Sequence, residues 1–326
     1  ESSVPPDMLG ESYMDLMHYF AQEEGRDGGE FFTPPNIVKL MVKLLGPFEE
    51  GDSFHDPTAG SGGMLVEVAE YYRQEQGNDP KELYFTGQEI NPDICSLGKM
   101  NLLVHGLKGD MKRGDSLSNP LFVKEDNKLE AFNYILANFP FSADWAKSEL
   151  QDDSYERFDW SKKLPRADRG DYAFIMHMVK QLNNTGQASI VVPHGVLFRK
   201  HEQRYRQPMI ENDLVEAVIG LPENLFQNNT IPSAILVLNK NKLEARENKV
   251  QFIHAVDEKF YKELRNQNEL TTEGINHIVE NFKNWKSENK VSRVVETKEI
   301  EENEYNLNIP LYVDTTEPQE DIDVSE

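Results

Sequence analysis

From residue 52 onward the chain repeats one unit: a short apolar run, a turn, then an amphipathic stretch. The apolar runs are DSFHD, LYFTGQE, MKRGDSL, FNYILAN, QASIVVP, VEAVIGL and SAILVLN. Helical spacing falls between them at residues 64–76, 93–105, 171–183 and 202–212. An earlier stretch places Ile37, Val38, Leu40, Met41, Leu44 and Leu45 on one helical face, with Pro34 or Pro35 opening it. Strands alternating with helices predict an α/β fold: a doubly wound, mostly parallel sheet of seven strands, covered on both faces. The loop joining the last two runs carries no helix, so one of them is expected to pair antiparallel near one edge. Further helices are predicted over residues 8–24, 258–265 and 275–290.

Charge narrows the partners. The 326 residues carry a formal net charge of -23, which repels nucleic acid at long range because phosphate binding needs clustered Lys and Arg. If the chain works on DNA, another component should supply much of the attraction. The single cysteine, Cys95, excludes an internal disulfide and a cysteine-rich zinc site and reads as a small buried apolar residue. His55, His105, His177 and His194 lack metal-ligand spacing and read as structural, so no metal is expected. No apolar run could span a bilayer and no signal peptide stands out, so the chain is expected to be soluble and cytoplasmic. It begins at Glu1 and is expected to be part of a longer protein.

Four stretches carry chemistry, each at the end of a predicted strand. The first is Asp56-Pro57-Thr58-Ala59-Gly60-Ser61-Gly62-Gly63. Its glycines let backbone approach a ligand, yet it matches neither the dinucleotide fingerprint nor a phosphate loop. The second strand ends in Gln88-Glu89-Ile90, where an acid can bind both hydroxyls of a ribose. The third ends in Gly114-Asp115-Ser116, where a carboxylate can accept from an adenine amine. Each acid alone reads as a solvated strand end; together they outline a crevice for a nucleoside. The fourth delivers Asn138-Phe139-Pro140-Phe141 to the same edge. An amine on an aromatic ring is a poor nucleophile, because its lone pair is delocalised. An Asn oxygen and a neighbouring backbone carbonyl can accept its two N–H bonds and aim the lone pair at a sulfonium methyl. Proline would stiffen the turn, and Phe141 could stack on the ring. The plainer reading is a turn after a core strand.

In their order these motifs resemble the modification (methyltransferase) subunit of type I restriction–modification systems, a DNA adenine-N6 methyltransferase family. The likeness covers nearly all of residues 9–314. It rests on GEFFTPPNIVKLMVKLL, DPTAGSGGML, GQEINPDICSLGKMNLLVHG, GDSL, ANFPFS, VVPHGVLFR, VIGLPENLF, IPSAILVLNK and YNLNIPLYVD. The resemblance implies a class I, Rossmann-like S-adenosylmethionine-dependent fold. It also implies that Glu30, Phe31, Phe32, Thr33, Pro34 and Pro35 bind S-adenosylmethionine together with Asp56, Thr58, Ala59, Gly60, Ser61, Gly62 and Gly63. Glu89 and Ile90 would hold the ribose, Asp115 and Ser116 would lie near the adenine, and Asn138, Phe139, Pro140 and Phe141 would be the catalytic motif. The Phe31-Phe32-Thr33-Pro34 element before the glycine loop matches the gamma order of amino-methyltransferases. Implied partners are double-stranded DNA with a flipped-out adenine, a specificity subunit and a restriction/translocase subunit.

The family's usual catalytic motif is Asn-Pro-Pro-Phe, and Phe139 departs from it, which is expected to add a ring to the pocket. That departure keeps open a catalytically silent, cofactor-binding assembly subunit; related motifs leave open a methyltransferase for RNA or protein. The expected organisation is a remnant of a helical region at 1–33, a catalytic domain at 34–255, a helical extension packed on it at 256–313, and an acidic disordered tail at 314–326. Two basic stretches stand apart from the motifs. Arg199, Lys200, Arg204 and Arg206 read as a solvated helix face, with contact to DNA phosphate as the alternative. Lys162, Lys163, Arg166 and Arg169 belong to a long polar loop over 142–170 that is either solvated or closes over DNA.

Overall fold

In a computed structural model, residues 33–145, 153–161, 163–226, 231–265 and 267–314 are described. The helix expected at 8–24, Glu30, Phe31, Phe32, Lys162 and residues 315–326 lie outside them. Helix α1 (Pro35–Leu45) starts with a proline at its first position, where the missing N–H costs nothing, and buries Ile37, Leu40, Met41, Leu44 and Leu45. Strand β1 (Ser53–Asp56), α2 (Gly63–Gln74), β2 (Tyr84–Glu89), α3 (Pro92–Val104) and β3 (Gly109–Arg113) follow. Next come β4 (Phe132–Asn138), α4 (Asp171–Gln181), β5 (Leu182–Pro193), a one-turn α5 (Gly195–Phe198), α6 (Gln203–Glu211), β6 (Val215–Gly220) and β7 (Ser233–Asn239). The seven strands expected from sequence are all present.

Two more extend the sheet beyond them: β8 (Lys249–His254) and β11 (Ser292–Glu296). The order is β11-β8-β6-β7-β5-β4-β1-β2-β3, with β7 antiparallel to both neighbours and β11 antiparallel to β8. The sheet is therefore nine-stranded where seven were expected. Val250, Phe252 and Ile253 of β8 are fully buried, so the short apolar run VQFIH was itself a strand signal, set in a charged stretch that masked it.

Alternate side chains of each strand feed two apolar layers. Leu136, Val191, Ala217, Ile219, Ile235 and Val237 pack with α1, α2, α3 and a C-terminal helix, α7 (Thr272–Lys283). Ile135, Ala137, Ile190, Val192, Val218 and Leu236 pack with α4, α5 and α6. This two-sided burial explains why the strands read as continuous apolar runs.

The helix expected over 258–265 is not formed. Glu258–Phe260 is a single 3-10 turn, and β9 (Tyr261–Glu263) pairs with β10 (Asn268–Leu270) in a small antiparallel hairpin. The Lys and Glu residues that suggested helix serve instead as a cross-strand pair, Lys262 Nζ lying 2.9 Å from Glu269. The helix expected over 275–290 occupies Thr272–Lys283, because Thr271 caps it through Gly274 N and the chain turns left-handed at Trp285 (φ 54°). A last short helix, α8 (Thr297–Glu302), follows β11. No described helix is long and apolar enough to cross a membrane.

Candidate active site

The strand order reverses between β1 and β4. The chain runs outward through β1, β2 and β3, then returns to place β4 on the other side of β1. A crevice outside the carboxyl ends of the strands is expected at such a point. A cleft of about 470 Å³ lies there, lined by residues following β1, β2, β3 and β4.

One wall is the loop after β1. Asp56 is buried at the strand's end, and its Oδ1 accepts Thr58 N at 2.9 Å. Burial pushes its carboxyl up to about 7, and the negative charge of Glu89 adds to the shift. Gly60 and Gly62 have φ of 52° and 77°, the left-handed region where a side chain would be strained. Gly62 caps α2, and a Cβ there would meet Gly98 of α3 at 3.7 Å. Asn101 of α3 holds the loop by donating to Ser61 O at 3.0 Å. Glu89 closes this wall. Its Oε2 accepts Gly60 N at 3.0 Å and its Oε1 accepts Asn91 N at 2.8 Å. A carboxylate has about four acceptor positions, so two remain for a ligand that brings paired hydroxyls.

The second wall is the turn after β3. Asp115 Oδ1 accepts Leu117 N at 2.9 Å and Oδ2 accepts Ser118 Oγ at 2.8 Å, which fixes the carboxylate at the cleft. Ser116 Oγ donates to Pro57 O and joins the two walls. Gln88 also lines the cleft and pins the turn through both amide atoms, donating to Asn119 O at 2.8 Å and accepting Leu121 N at 3.0 Å. Nothing in its position one residue before Glu89 singles it out in the sequence.

The third wall is the lip after β4. Asn138 lines the cleft, its Nδ2 donates to Thr33 Oγ1 at 3.0 Å, and its amide oxygen is an acceptor that a ligand can use. Pro140, Ala143, Asp144 and Trp145 continue this wall, and Phe174 of α4 floors it. Ser142, at φ 53°, donates its N–H to Asp171 Oδ1 at 2.6 Å, and Arg199 Nη1 donates to the other oxygen of this fully buried carboxylate at 2.9 Å. The lip is thus tied to the N-terminus of α4.

Of the residues expected to form the site, Thr58, Gly60, Glu89, Ile90, Asp115, Ser116, Asn138 and Pro140 line the cleft. Asp56, Ala59, Ser61, Gly62 and Gly63 support it from behind, and Pro34 and Pro35 begin α1. Thr33, expected on the cofactor side, accepts a hydrogen bond from Asn138. The ring expected to enter the pocket does not: Phe139 is 2% exposed and stacks on Phe174 with centroids 5.3 Å apart. It alternates inward because β4 delivers successive side chains to opposite faces. Phe141 is half-buried against Phe139 at 5.9 Å and does not line the cleft. Trp145 does, an aromatic only a few residues beyond the lip that composition alone could have flagged.

A further polar cluster lies under the site. Arg157 has a fully buried side chain that donates through Nε and Nη2 to Asp153 Oδ1, at 3.0 and 2.8 Å, and through Nη1 to Leu117 O at 2.8 Å. The long polar loop is therefore anchored on the turn that carries Asp115. His55 and His177 are buried nearby, and burial drives His55 down to about 3 and His177 well below its usual range. Both are neutral packing residues.

Comparison with known proteins places this geometry. The N-6 DNA Methylase family model matches residues 4–321. The chain is 35% identical over 334 residues to the MjaVII type I restriction enzyme methylase subunit of Methanocaldococcus jannaschii, covering 99% of this chain and 56% of that one. It is 30% identical to the HindI type I methylase subunit of Haemophilus influenzae, covering 97% and 70%. The crystal structure of the type I restriction-modification methyltransferase subunit from Streptococcus thermophilus superposes with a TM-score of 0.84 at 34% identity, covering 96% of this chain and 65% of that one. The chain spans little more than half the length of the MjaVII subunit. The fold is that of the class I S-adenosylmethionine-dependent methyltransferases. By motif order, strand-end geometry and sequence similarity together, the chain belongs to the N-6 DNA methylase family.

Proposed function

We propose that the chain is the catalytic part of a type I modification subunit that transfers a methyl group to N6 of a flipped-out adenine in DNA. The observation that carries this reading is the Asn138 side chain, which lines the cleft at the end of β4 and is held there by a hydrogen bond from its Nδ2 to Thr33 Oγ1. S-adenosylmethionine, when bound, supplies an electrophilic methyl on a positively charged sulfur. The spare acceptor positions on Glu89 fit its two ribose hydroxyls, and Asp115 fits the amine of its adenine. Ile90, 63% exposed at the cleft, offers an apolar cover for that ring. The Asp56–Gly63 loop lets backbone approach the rest of the cofactor.

On the substrate side, the Asn138 oxygen and the Phe139 carbonyl accept the N–H bonds of the target amine. Withdrawing those hydrogens from the ring plane turns the nitrogen lone pair toward the methyl; as the N–C bond forms the S–C bond would break, S-adenosyl-L-homocysteine would leave, and the nitrogen would release one of its N–H protons to solvent. Pro140 stiffens the carbonyl's orientation. Trp145 lines the cleft and is the aromatic in place to face the base, the part expected of Phe141. DNA, a specificity subunit and a restriction/translocase subunit complete the proposed complex. Phe139 lies in the core and does not obstruct this cleft, which favours turnover over the silent assembly subunit.

The test is the complete subunit assembled with its specificity subunit, incubated with DNA and labelled S-adenosylmethionine, followed by nucleoside digestion. N6-methyladenine is expected from the parent. Asn138→Ala should lower transfer by at least about a thousandfold, comparable to removing a group that stabilises only the transition state, while cofactor Kd stays within about threefold. Loss of cofactor binding in that variant would mean that Asn138 belongs to the cofactor half of the cleft.

A further inference from the structure

The two basic stretches, thirty positions apart in sequence from Arg169 to Arg199, are brought together by the fold. Arg199 Nη1 donates to Asp171 Oδ2 at 2.9 Å and so ties the second stretch to the segment that carries Arg166 and Arg169; burial first, and then the charges of Arg169, Arg166, Arg199 and Arg204, hold the exposed His201 below its usual range. Arg204 Nε donates to His201 O at 3.1 Å. Arg206, expected to share this face, does not: it is 2% exposed, and its guanidinium donates to Tyr305 O, Val196 O and Arg199 O. Arg199 is committed to Asp171.

The remaining cations sit beside the lip. Trp145 N donates to Ala167 O at 2.9 Å and Trp145 Nε1 to Arg166 O at 2.6 Å, while Gly170 N donates to Ala143 O at 2.8 Å. Ala143, Asp144 and Trp145 line the cleft, so the segment carrying Arg166 and Arg169 runs directly against its rim. Arg204 arrives from the other direction, through the turn after β5, the parallel neighbour of β4.

Two features set this patch apart from a solvated face. It is a local excess of cations on a chain of net charge -23. Arg169 is half-buried, and its Nε is buried without a hydrogen-bond partner, an arrangement that costs free energy unless an acceptor arrives. Asp168 is paired to Arg166, and Asp171 and Glu202 are buried against Arg199, while Asp144 is exposed on the rim itself, so the arginines also offset a rim carboxylate. A strand whose base reaches Asn138 must carry its own phosphates past the rim.

We propose that Arg166, Arg169 and Arg204 bind backbone phosphates of the DNA strand whose base enters the cleft. This rests on the DNA-methylating reading above. Arg166 exchanges Asp168 for phosphate on binding, and the half-buried Arg169 turns its guanidinium outward to reach one. The interaction is blind to sequence; it holds the strand in place while base recognition is left to another subunit.

The test uses the complete subunit with its specificity subunit and compares KM for DNA across a salt series. The triple variant Arg166→Gln, Arg169→Gln, Arg204→Gln is expected to raise KM for DNA by about tenfold or more and to flatten the log–log salt dependence by about one unit for each phosphate no longer engaged. Cofactor Kd reports that the fold is intact. The matching triple Lys variant should recover most of the affinity, since a phosphate accepts a point charge, and a purely structural role for the arginines would not be rescued. Lys81→Gln with Lys298→Gln, exposed and elsewhere, should match the parent. Should the triple Gln variant misfold, Arg204→Gln alone, on an exposed helix position, is expected to flatten the slope by about one unit. An unchanged KM and slope overturns the proposal. So does a variant that no longer assembles with the specificity subunit, because the patch would then be a protein interface. A parent that leaves no N6-methyladenine overturns the functional reading and this one together; a methylating parent with an indifferent variant overturns only this one.

Discussion

Asp56 is a carboxylate that the folded chain prefers to keep protonated. Its carboxyl is pushed up to about 7 by burial, whereas an unfolded Asp titrates near 4. Between those values the folded state holds a proton that the unfolded state has released. The contribution of this group to stability is therefore fully present below the unfolded value and is lost as pH rises toward the folded one. Asp56→Asn keeps an acceptor for Thr58 N but cannot titrate. The drop in Tm on going from about pH 5.5 to about pH 8 is expected to be smaller in Asp56→Asn than in the parent. Equal drops, measured by calorimetry, would show that the carboxyl is not held protonated. Glu89, Asp115 and Asn138 were legible as candidates because each lies at or just after a strand end and carries the chemistry a nucleoside or an amine requires, and all three line the cleft. Thr33 was named through the resemblance, but its bond to Asn138 was not legible, nor were Gln88 and Trp145, since these roles depend on which neighbour the fold brings to them.

Arg157 shows what a loop can do that periodicity cannot reveal. The segment around it is polar and aperiodic, yet it docks through a guanidinium that bridges Asp153 and Leu117 O. Truncating one partner of a buried pair costs about 3–5 kcal/mol, because the other is left uncompensated. Arg157→Ala is expected to loosen both the loop and the Asp115 turn and to weaken cofactor binding by roughly tenfold. Arg157→Lys should not restore it, since an ammonium cannot reproduce the forked geometry. Isothermal titration with S-adenosylmethionine checks this, and an unaltered Kd would confine Arg157 to packing. The seven strands with their intervening helices were readable because both layers of the sheet are apolar. The β9–β10 hairpin was not, because residues such as Lys262 and Glu269 favour helices in isolation, and only pairing across the hairpin decides otherwise.

The segment after residue 255 is joined to the rest of the molecule at several levels. Ile275, Ile278 and Phe282 of α7 share one apolar layer with α1, and β11 lengthens the main sheet along β8. Lys283 Nζ donates to Leu44 O at 2.7 Å and also to Gly46 O, capping the C-terminal end of α1. Leu307 N donates to Leu197 O at 2.8 Å on the opposite face. A chain ending after Ala255 would expose the side of β8 and half of one apolar layer. It is expected to lose cooperative thermal unfolding and to aggregate. Circular dichroism melts would decide, and a sharp transition within a few degrees of the parent would show that the earlier part folds alone. Sequence suggested a helical appendage here; the extra strand was hidden because SRVVE is short and half-polar, as edge strands are.

The stacking of Phe139 on Phe174 bears on how this lineage could change. A step from Phe139 to the more usual proline would empty the space under the lip, and losing a buried ring of that size costs about 3–5 kcal/mol. Such a step becomes accessible only after position 174 or its neighbours have grown to fill the gap. The two positions are thus expected to drift together through evolutionary time, with the identity of the ring beneath the lip deciding which letters the lip itself can try.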